Sequence, residues 1–167
     1  MKKYFAIALS LITMIGCVSK PAEQSAKRGN GYTESDTDNI KLVKALNDAS
    51  MKYDTTLVRS FYSSGTDSVH MNLVGMTIDQ NISLMNEMQK QGITTSIESY
   101  SPIWETINDK PSEKGVTNYV IAYMKIIIKK GDKSTRGVFN QVCAIKDNKI
   151  VEEWDIYDTK VFEEFMK

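Results

Sequence analysis

One histidine and the polar residues near it are the side chains of this sequence best suited to move protons. His70 is the only histidine among 167 residues, and imidazole is the side chain whose ordinary pKa lies nearest neutrality. Residues 68–73 alternate in polarity, so His70 and Asn72 share one face, which we expect to be the pocket side. Asp158 could orient His70 or a ligand. These three residues are the candidate catalytic group, although a solvated histidine and a structural role for Asp158 at a strand end are alternatives.

Four aromatic residues in the second half of the chain are candidates for binding a ligand. Pockets for small molecules are mostly apolar and aromatic, with a few polar groups. We expect an apolar or ring-shaped ligand to contact Trp104, Tyr119, Tyr123 and Trp154. Packing in the core or in a dimer interface is the alternative for each of them.

The composition gives no support for a metal site, a cofactor or nucleic-acid binding. One histidine and one cysteine in the body of the chain cannot form the usual nitrogen and sulfur ligand set for zinc, and no acidic loop has calcium-like spacing. The 21 basic and 21 acidic residues cancel, whereas a nucleic-acid binder needs a basic surface. We therefore predict no metal, no cofactor and no nucleic-acid partner.

The first seventeen residues have the features of an export signal. Two lysines precede an uncharged apolar run that is too short to span a membrane. The sequence Met14-Ile15-Gly16-Cys17 resembles the lipobox of bacterial lipoproteins, which implies cleavage after residue 16 and acylation of the Cys17 thiol. We expect a protein of the bacterial cell envelope that is anchored to a membrane by acyl chains on Cys17. An ordinary signal peptide followed by a free thiol is the alternative.

The rest of the chain divides into a tether and one domain. Residues 17–36 contain proline, glycine and polar residues without a helical or strand period, which predicts a lipidated cysteine followed by a flexible tether. Residues 37–167 are then a single folded domain. Lipidation of Cys17 would leave Cys143 without a disulfide partner, and its apolar neighbours predict that it packs in the core.

Helical patterns occupy the first half of the domain. Apolar residues spaced by three and four follow the capping candidates Asp36 and Asp38 and predict one helix. Asp54 is positioned to cap a second, shorter helix. A third helix is predicted to begin at Thr77, because Gln80 stands three residues later in the spacing of a capping box.

From residue 97 onward the period of the sequence changes to two, which is typical of strands. Long β-branched and aromatic runs cover residues 97–107, 118–129, 136–145 and 150–157. The second of these predicted strands, residues 118–129, has one wholly apolar face. The short links between the strands predict hairpins. Helices followed by an antiparallel meander indicate an α+β architecture in which the helices cover one side of a strongly curved sheet.

This order of elements, with its last hairpin Asn148-Lys-Ile-Val-Glu-Glu-Trp-Asp-Ile-Tyr-Asp158, resembles the SnoaL-like branch of the nuclear-transport-factor-2-like superfamily. The resemblance covers roughly residues 38–159. It implies a cone-shaped α+β barrel, in which a curved antiparallel sheet wraps around N-terminal helices and encloses a pocket. Members of the family are often dimeric through the outer face of the sheet, so the resemblance also implies a possible homodimer.

The resemblance also suggests positions for site residues. Asn72 stands where ketosteroid isomerases of the superfamily carry a general-base aspartate. Ile156, two residues after Trp154, stands where limonene epoxide hydrolases carry an aspartate. Asp158 matches the closing aspartate of the last hairpin, and strict alternation places Asp155 on the face opposite Trp154.

These observations lead to one expected function and two alternatives. We expect a lipid-anchored envelope protein whose SnoaL-like pocket binds a small, largely apolar molecule. The first alternative is an enzyme of the isomerase, cyclase or hydrolase type that uses His70-centred acid/base chemistry. The second is a protein-interaction module of the envelope.

Overall fold

A computed structural model of the chain describes residues 31–64 and 69–166. The predicted signal peptide, Cys17 and the first part of the predicted tether lie outside these residues. Within the described ranges, no helix is long and apolar enough to cross a membrane.

The helices begin where local capping groups satisfy their first backbone N–H groups. The helices are α1 (Asp38–Met51), α2 (Thr55–Phe61), α3 (Ile78–Lys90) and α4 (Thr159–Met166). Thr37, between the two predicted candidates, caps α1; Asp54 caps α2 and the predicted capping box at Thr77 is present. The first three helices were therefore predicted, whereas α4 was not.

Seven strands form one mixed, curved sheet on which the helices pack. The strands are β1 (Gly31–Glu34), β2 (Val69–Met71), β3 (Val74–Met76), β4 (Ile93–Asn108), β5 (Asn118–Lys130), β6 (Lys133–Lys146) and β7 (Lys149–Tyr157). Their order across the sheet is β1-β4-β5-β6-β7-β2-β3. The pairs are antiparallel except β2 with β7, which is parallel. The α+β fold class is confirmed.

The strand β1 corrects the extent of the predicted tether. Residues 31–34, which the sequence analysis assigned to the tether, pair with the end of β4 as an edge strand. Gly31 has a φ of +134°, and a Cβ atom there would stand 2.2 Å from the carbonyl oxygen of Ile107. Only glycine permits this close approach of two backbones.

Irregular pairing in β4 accompanies the curvature of the sheet. The register between β4 and β5 shifts twice, between Ile97 and Ser99 and between Tyr100 and Ile103. Such bulges bend a strand and increase its twist. The inner face of the curved sheet is thereby available to the helices.

The core lies between the helices and this inner face. Alternate residues of β5 are buried as predicted: Val120, Ala122, Met124, Ile126 and Ile128. Cys143 is fully buried in the same core beside Ile145 and Ile150, which confirms its predicted packing role. One of the short links that predicted hairpins is Asp147-Asn148, which joins β6 to β7 with positive φ at both residues.

Candidate functional site

A cavity of about 310 Å³ lies between the inner face of the sheet and the helices α1, α3 and α4. Most of its wall is apolar and flexible, because it contains several thioether side chains. The methionine and leucine residues of the wall are Met51, Met71, Leu84, Met85, Met88 and Met124. Methionine adapts to irregular shapes, so this wall suits an apolar ligand.

Three aromatic rings form one side of the cavity. Phe139 stacks on Tyr157 with ring centroids 4.6 Å apart, and Phe162 of α4 meets both rings edge-on at 5.5 and 5.0 Å. All three residues line the cavity. The helix that the sequence analysis missed therefore supplies part of the cavity wall.

A chain of buried polar side chains crosses the floor of the cavity. The Asn47 amide donates to Oε1 of Gln141 at 2.8 Å, and the Gln141 amide donates to Oε1 of Glu153 at 2.7 Å. The hydroxyl of Tyr62 donates to the other oxygen of Glu153. Glu153 therefore accepts a hydrogen bond at each oxygen, which is the bonding pattern of an ionised carboxylate.

Asp155 lies beside Glu153 in the same buried environment. It is only 7% exposed, and its Oδ1 has no hydrogen-bond partner among the described residues. Burial, followed by the negative charge of Glu153, raises the pKa of Asp155 well above its ordinary range. Asp155 thus tends to hold a proton, next to a carboxylate and against an apolar cavity.

The neighbouring thiol and phenol are kept in their neutral forms by the same surroundings. Burial and then the charge of Glu153 raise the pKa of Tyr62 well above its ordinary value. Cys143 is the cross-strand partner of Glu153, and burial followed by the charges of the two acids raises the pKa of its thiol. Tyr62 therefore remains a hydrogen-bond donor, and the surroundings of Cys143 disfavour the thiolate form that acts as a nucleophile.

Asp155 and Trp154 lie on opposite faces of β7, as predicted, but a β-bulge makes the face of Asp155, and not that of Trp154, the pocket side. Ala144 pairs with Glu152 whereas the next residue, Ile145, pairs with Ile150, so Val151 is an extra residue in β7. Strict alternation from Ile150 would turn Trp154 inward, but the extra residue reverses the phase. Asp155 therefore faces the cavity. The spacing of two between Glu153 and Asp155, which places both acids on one face of a strand, was the available sequence signal for this pair.

His70 lies on the outer face of the sheet, not on the pocket side. Its neighbour Met71 lines the cavity, so the alternation of β2 directs His70 outward. Its ring stacks on Trp154 at 5.8 Å, and its Nε2 lies 3.4 Å from Oε1 of Glu152. The other oxygen of Glu152 pairs with Lys114 at 2.8 Å.

The structure does not bring Asn72 or Asp158 together with His70 in the cavity. Asn72 occupies the β2–β3 turn with a φ of 47°, and its Oδ1 accepts from the backbone N–H of Tyr157 at 2.9 Å. Asp158 is exposed and accepts from the backbone N–H of Lys160 at 2.9 Å, at the start of α4. Both side chains satisfy backbone groups, and neither lines the cavity.

The four predicted ligand-binding aromatics also lie outside the cavity. Trp104 stacks on Tyr123 at 5.9 Å, and Trp154 stacks on His70. Tyr119 and Tyr123 alternate with the buried residues of β5, which places them on the outer face. The apolar face of β5 was predicted correctly, but it lines the interior and leaves these rings on the outside.

Metal-ligating residues do not cluster in the described part of the chain. Among these residues there is no group of three or more histidine, cysteine, aspartate or glutamate side chains positioned to hold a metal ion. The cavity offers two carboxyl groups, which together with a few amides and hydroxyls are suited to hydrogen bonding and proton transfer.

The raised pKa of Asp155 predicts a pH-dependent effect of its replacement. The folded protein retains this proton at pH values where the unfolded chain has lost it, so the stabilisation is full below about pH 3.8 and is lost as the pH rises through the folded pKa. Asp155→Asn removes this titration. Its free energy of unfolding, relative to wild type, should be higher at about pH 8 than at about pH 4, by on the order of 1 kcal/mol.

Denaturant unfolding at the two pH values measures this difference. Asp158→Asn is the matched control, because Asp158 is exposed and lies outside the cavity. An equal effect of Asp155→Asn at both pH values would contradict the raised pKa.

Comparisons with known proteins identify the fold. No family model matches the sequence, and no curated protein sequence matches it. An epoxide hydrolase of M. tuberculosis that is described as LEH-like is 18% identical, with a TM-score of 0.53, and the alignment covers 77% of this chain and 89% of that one.

Two further solved structures agree with this comparison. A putative polyketide cyclase of Pseudomonas putida KT2440 is 13% identical (TM-score 0.57; 77% and 98% of the two chains). An NTF2-like protein of Burkholderia thailandensis E264 is 14% identical (TM-score 0.54; 77% and 97%). The chain therefore has the NTF2-like, SnoaL-like α+β fold that the resemblance implied.

Proposed function

We propose that this protein binds a small, largely apolar molecule in the cavity between its helices and the inner face of its sheet. The observation that carries the proposal is the cavity itself, about 310 Å³ with thioether and aromatic walls and polar groups on its floor. This size lies at the lower end of the range for small-molecule sites, and a few convergent polar groups in an apolar pocket are typical of them. The polar floor would orient one end of the ligand.

Filling the cavity should weaken binding of an apolar probe. Met88 lines the cavity from α3, so the larger side chain of Met88→Trp would occupy ligand space. We expect the affinity for N-phenyl-1-naphthylamine, measured by its fluorescence increase, to fall at least about tenfold.

Leu57→Trp provides the matched control, because Leu57 is exposed on α2 and does not line the cavity. Equal affinities of both variants, or no binding to the wild type, would contradict the proposal. Independently of these probes, native mass spectrometry of the protein purified from its source would reveal any retained molecule.

Proton-transfer catalysis is a second candidate function, favoured by the buried pair of acids. Asp155 tends to hold a proton, and the neighbouring Glu153 accepts a hydrogen bond at each of its oxygens. The pair thus contains a proton donor and a proton acceptor. Such a pair could exchange hydrogens next to a carbonyl group. The His70-centred version of this proposal lacks support from the cavity, because His70 lies outside it.

Exchange of the hydrogens next to the carbonyl of α-tetralone in D₂O, followed by NMR, tests catalysis. Asp155→Asn should lower any exchange rate above background by about a hundredfold. His70→Gln should leave it unchanged. The opposite pattern would restore the histidine-centred alternative, and background rates in the wild type would leave binding as the function.

We also propose that acyl chains on Cys17 anchor the protein to a bacterial envelope membrane. The lipobox-like sequence supports this, and two or more acyl chains hold a protein on a bilayer. Cys17→Ser should move the protein from the membrane fraction to the soluble fraction on cell fractionation. Retention of the variant in the membrane fraction would contradict the anchor.

A homodimer through the outer face of the sheet is proposed from the apolar rows on that face. Trp104, Ile121, Val142 and Trp154 occupy successive cross-strand positions from β4 to β7. Ile156 in the neighbouring row is 54% exposed, and exposed apolar patches mark interaction surfaces.

Ile156→Glu should shift the wild-type dimer to monomer in sedimentation velocity, because it places a charge within the apolar rows. Leu57→Glu introduces the same change on α2 and should leave the dimer intact. A monomeric wild-type protein would contradict the proposal and favour another partner for this face.

A further inference from the structure

Neither of the two acids on the cavity floor is paired with a cation in the described part of the chain. Glu153 is 3% exposed and Asp155 is 7% exposed. Neutral groups, the Gln141 amide and the Tyr62 hydroxyl, donate to Glu153. Within the described ranges, no lysine, arginine or histidine lines the cavity. The acids that form ion pairs in these ranges are other residues, outside the cavity.

This arrangement leaves one negative charge buried without a counter-ion. Charges that are withdrawn from water are normally paired or bound to a metal, because desolvation is costly. Oδ1 of Asp155 also accepts no hydrogen bond from the described residues, and Asp155 lines the cavity. A ligand could supply both missing features, a positive charge and an N–H donor.

The aromatic side of the cavity suits the same kind of ligand. Phe139, Tyr157 and Phe162 line the cavity together with the two acids. The face of an aromatic ring attracts a cation, and the attraction grows when both are shielded from water. An anionic ligand would meet repulsion from Glu153, and a neutral one would leave its charge unpaired.

We propose that the ligand of this cavity is an apolar molecule bearing a protonated amine, whose ammonium group donates to Oδ1 of Asp155 and neutralises the Glu153–Asp155 pair. The inference rests on the proposed function, because it names the class of ligand that the cavity binds. The thioether wall contacts the apolar body of the ligand. The aromatic side contacts the amine end.

Two probes of nearly equal size separate this inference from the proposed function. 4-Phenylbutylamine carries the ammonium group, and 4-phenylbutan-1-ol replaces it with a neutral hydroxyl. Titration calorimetry of the full chain with each probe gives two dissociation constants. We expect the amine to bind at least about tenfold more tightly, because hydrogen bonds to charged groups are roughly twice as strong as neutral ones.

Variants assign the preference to the pair of acids. Glu153→Gln removes the negative charge of the pair, and Asp155→Asn removes the carboxyl group that accepts from the ammonium group. Both keep the shape of the side chain, so either one should reduce the preference to less than about threefold. Glu152→Gln is the matched control, because it removes a charge one residue away on the outer face and should keep the preference. If one cavity variant fails to fold, the other one provides the test.

The outcomes distinguish the two levels of the proposal. Equal binding of amine and alcohol, or a preference that persists in both cavity variants, overturns the amine ligand and leaves the apolar cavity intact. Binding of neither probe overturns the amine ligand together with the proposed function. A preference that only the cavity variants lose supports both.

Discussion

The buried hydrogen bonds from Asn47 through Gln141 to Glu153 and Tyr62 constrain the whole arrangement of this molecule. They join α1, β6, β7 and the end of α2. Because buried polar groups must be paired, each of these elements has one position relative to the others in which the chain of bonds is complete. The apolar packing above it supplies most of the stabilisation, whereas the polar chain fixes which side of β7 faces inward.

Elements with a local signal could be predicted from the sequence, whereas features that depend on strand pairing could not. The capping box at Thr77 lies within four residues, so the start of α3 was predictable. The inward face of β7 depends on the bulge at Val151, which exists only in pairing with β6. Likewise, the parallel pairing that sets His70 opposite Trp154 places the histidine on the outer face.

The end of the chain shows a second limit of prediction. Residues 159–166 form a short helix after the last strand, beyond residues 38–159 that the family resemblance covers. Phe162 and Phe165 of this helix pack inward, and the helix gains its stability from these contacts more than from its own sequence. The cavity could be expected from the fold, but the identity of its walls could not.

The likeness to an epoxide hydrolase and a polyketide cyclase shows a shared fold, and folds of this kind are compatible with unrelated chemistry. The side chains of the cavity are therefore the better guide to function.

The position of Cys143 opposite Glu153 has a consequence for the redox chemistry of the protein. Thiols react with oxidants as thiolates, and burial together with the two nearby acids keeps this sulfur protonated. It is also fully shielded from solvent. Burial, reinforced by the acids of the cavity floor, thus disfavours the thiolate form and with it the oxidation of this cysteine.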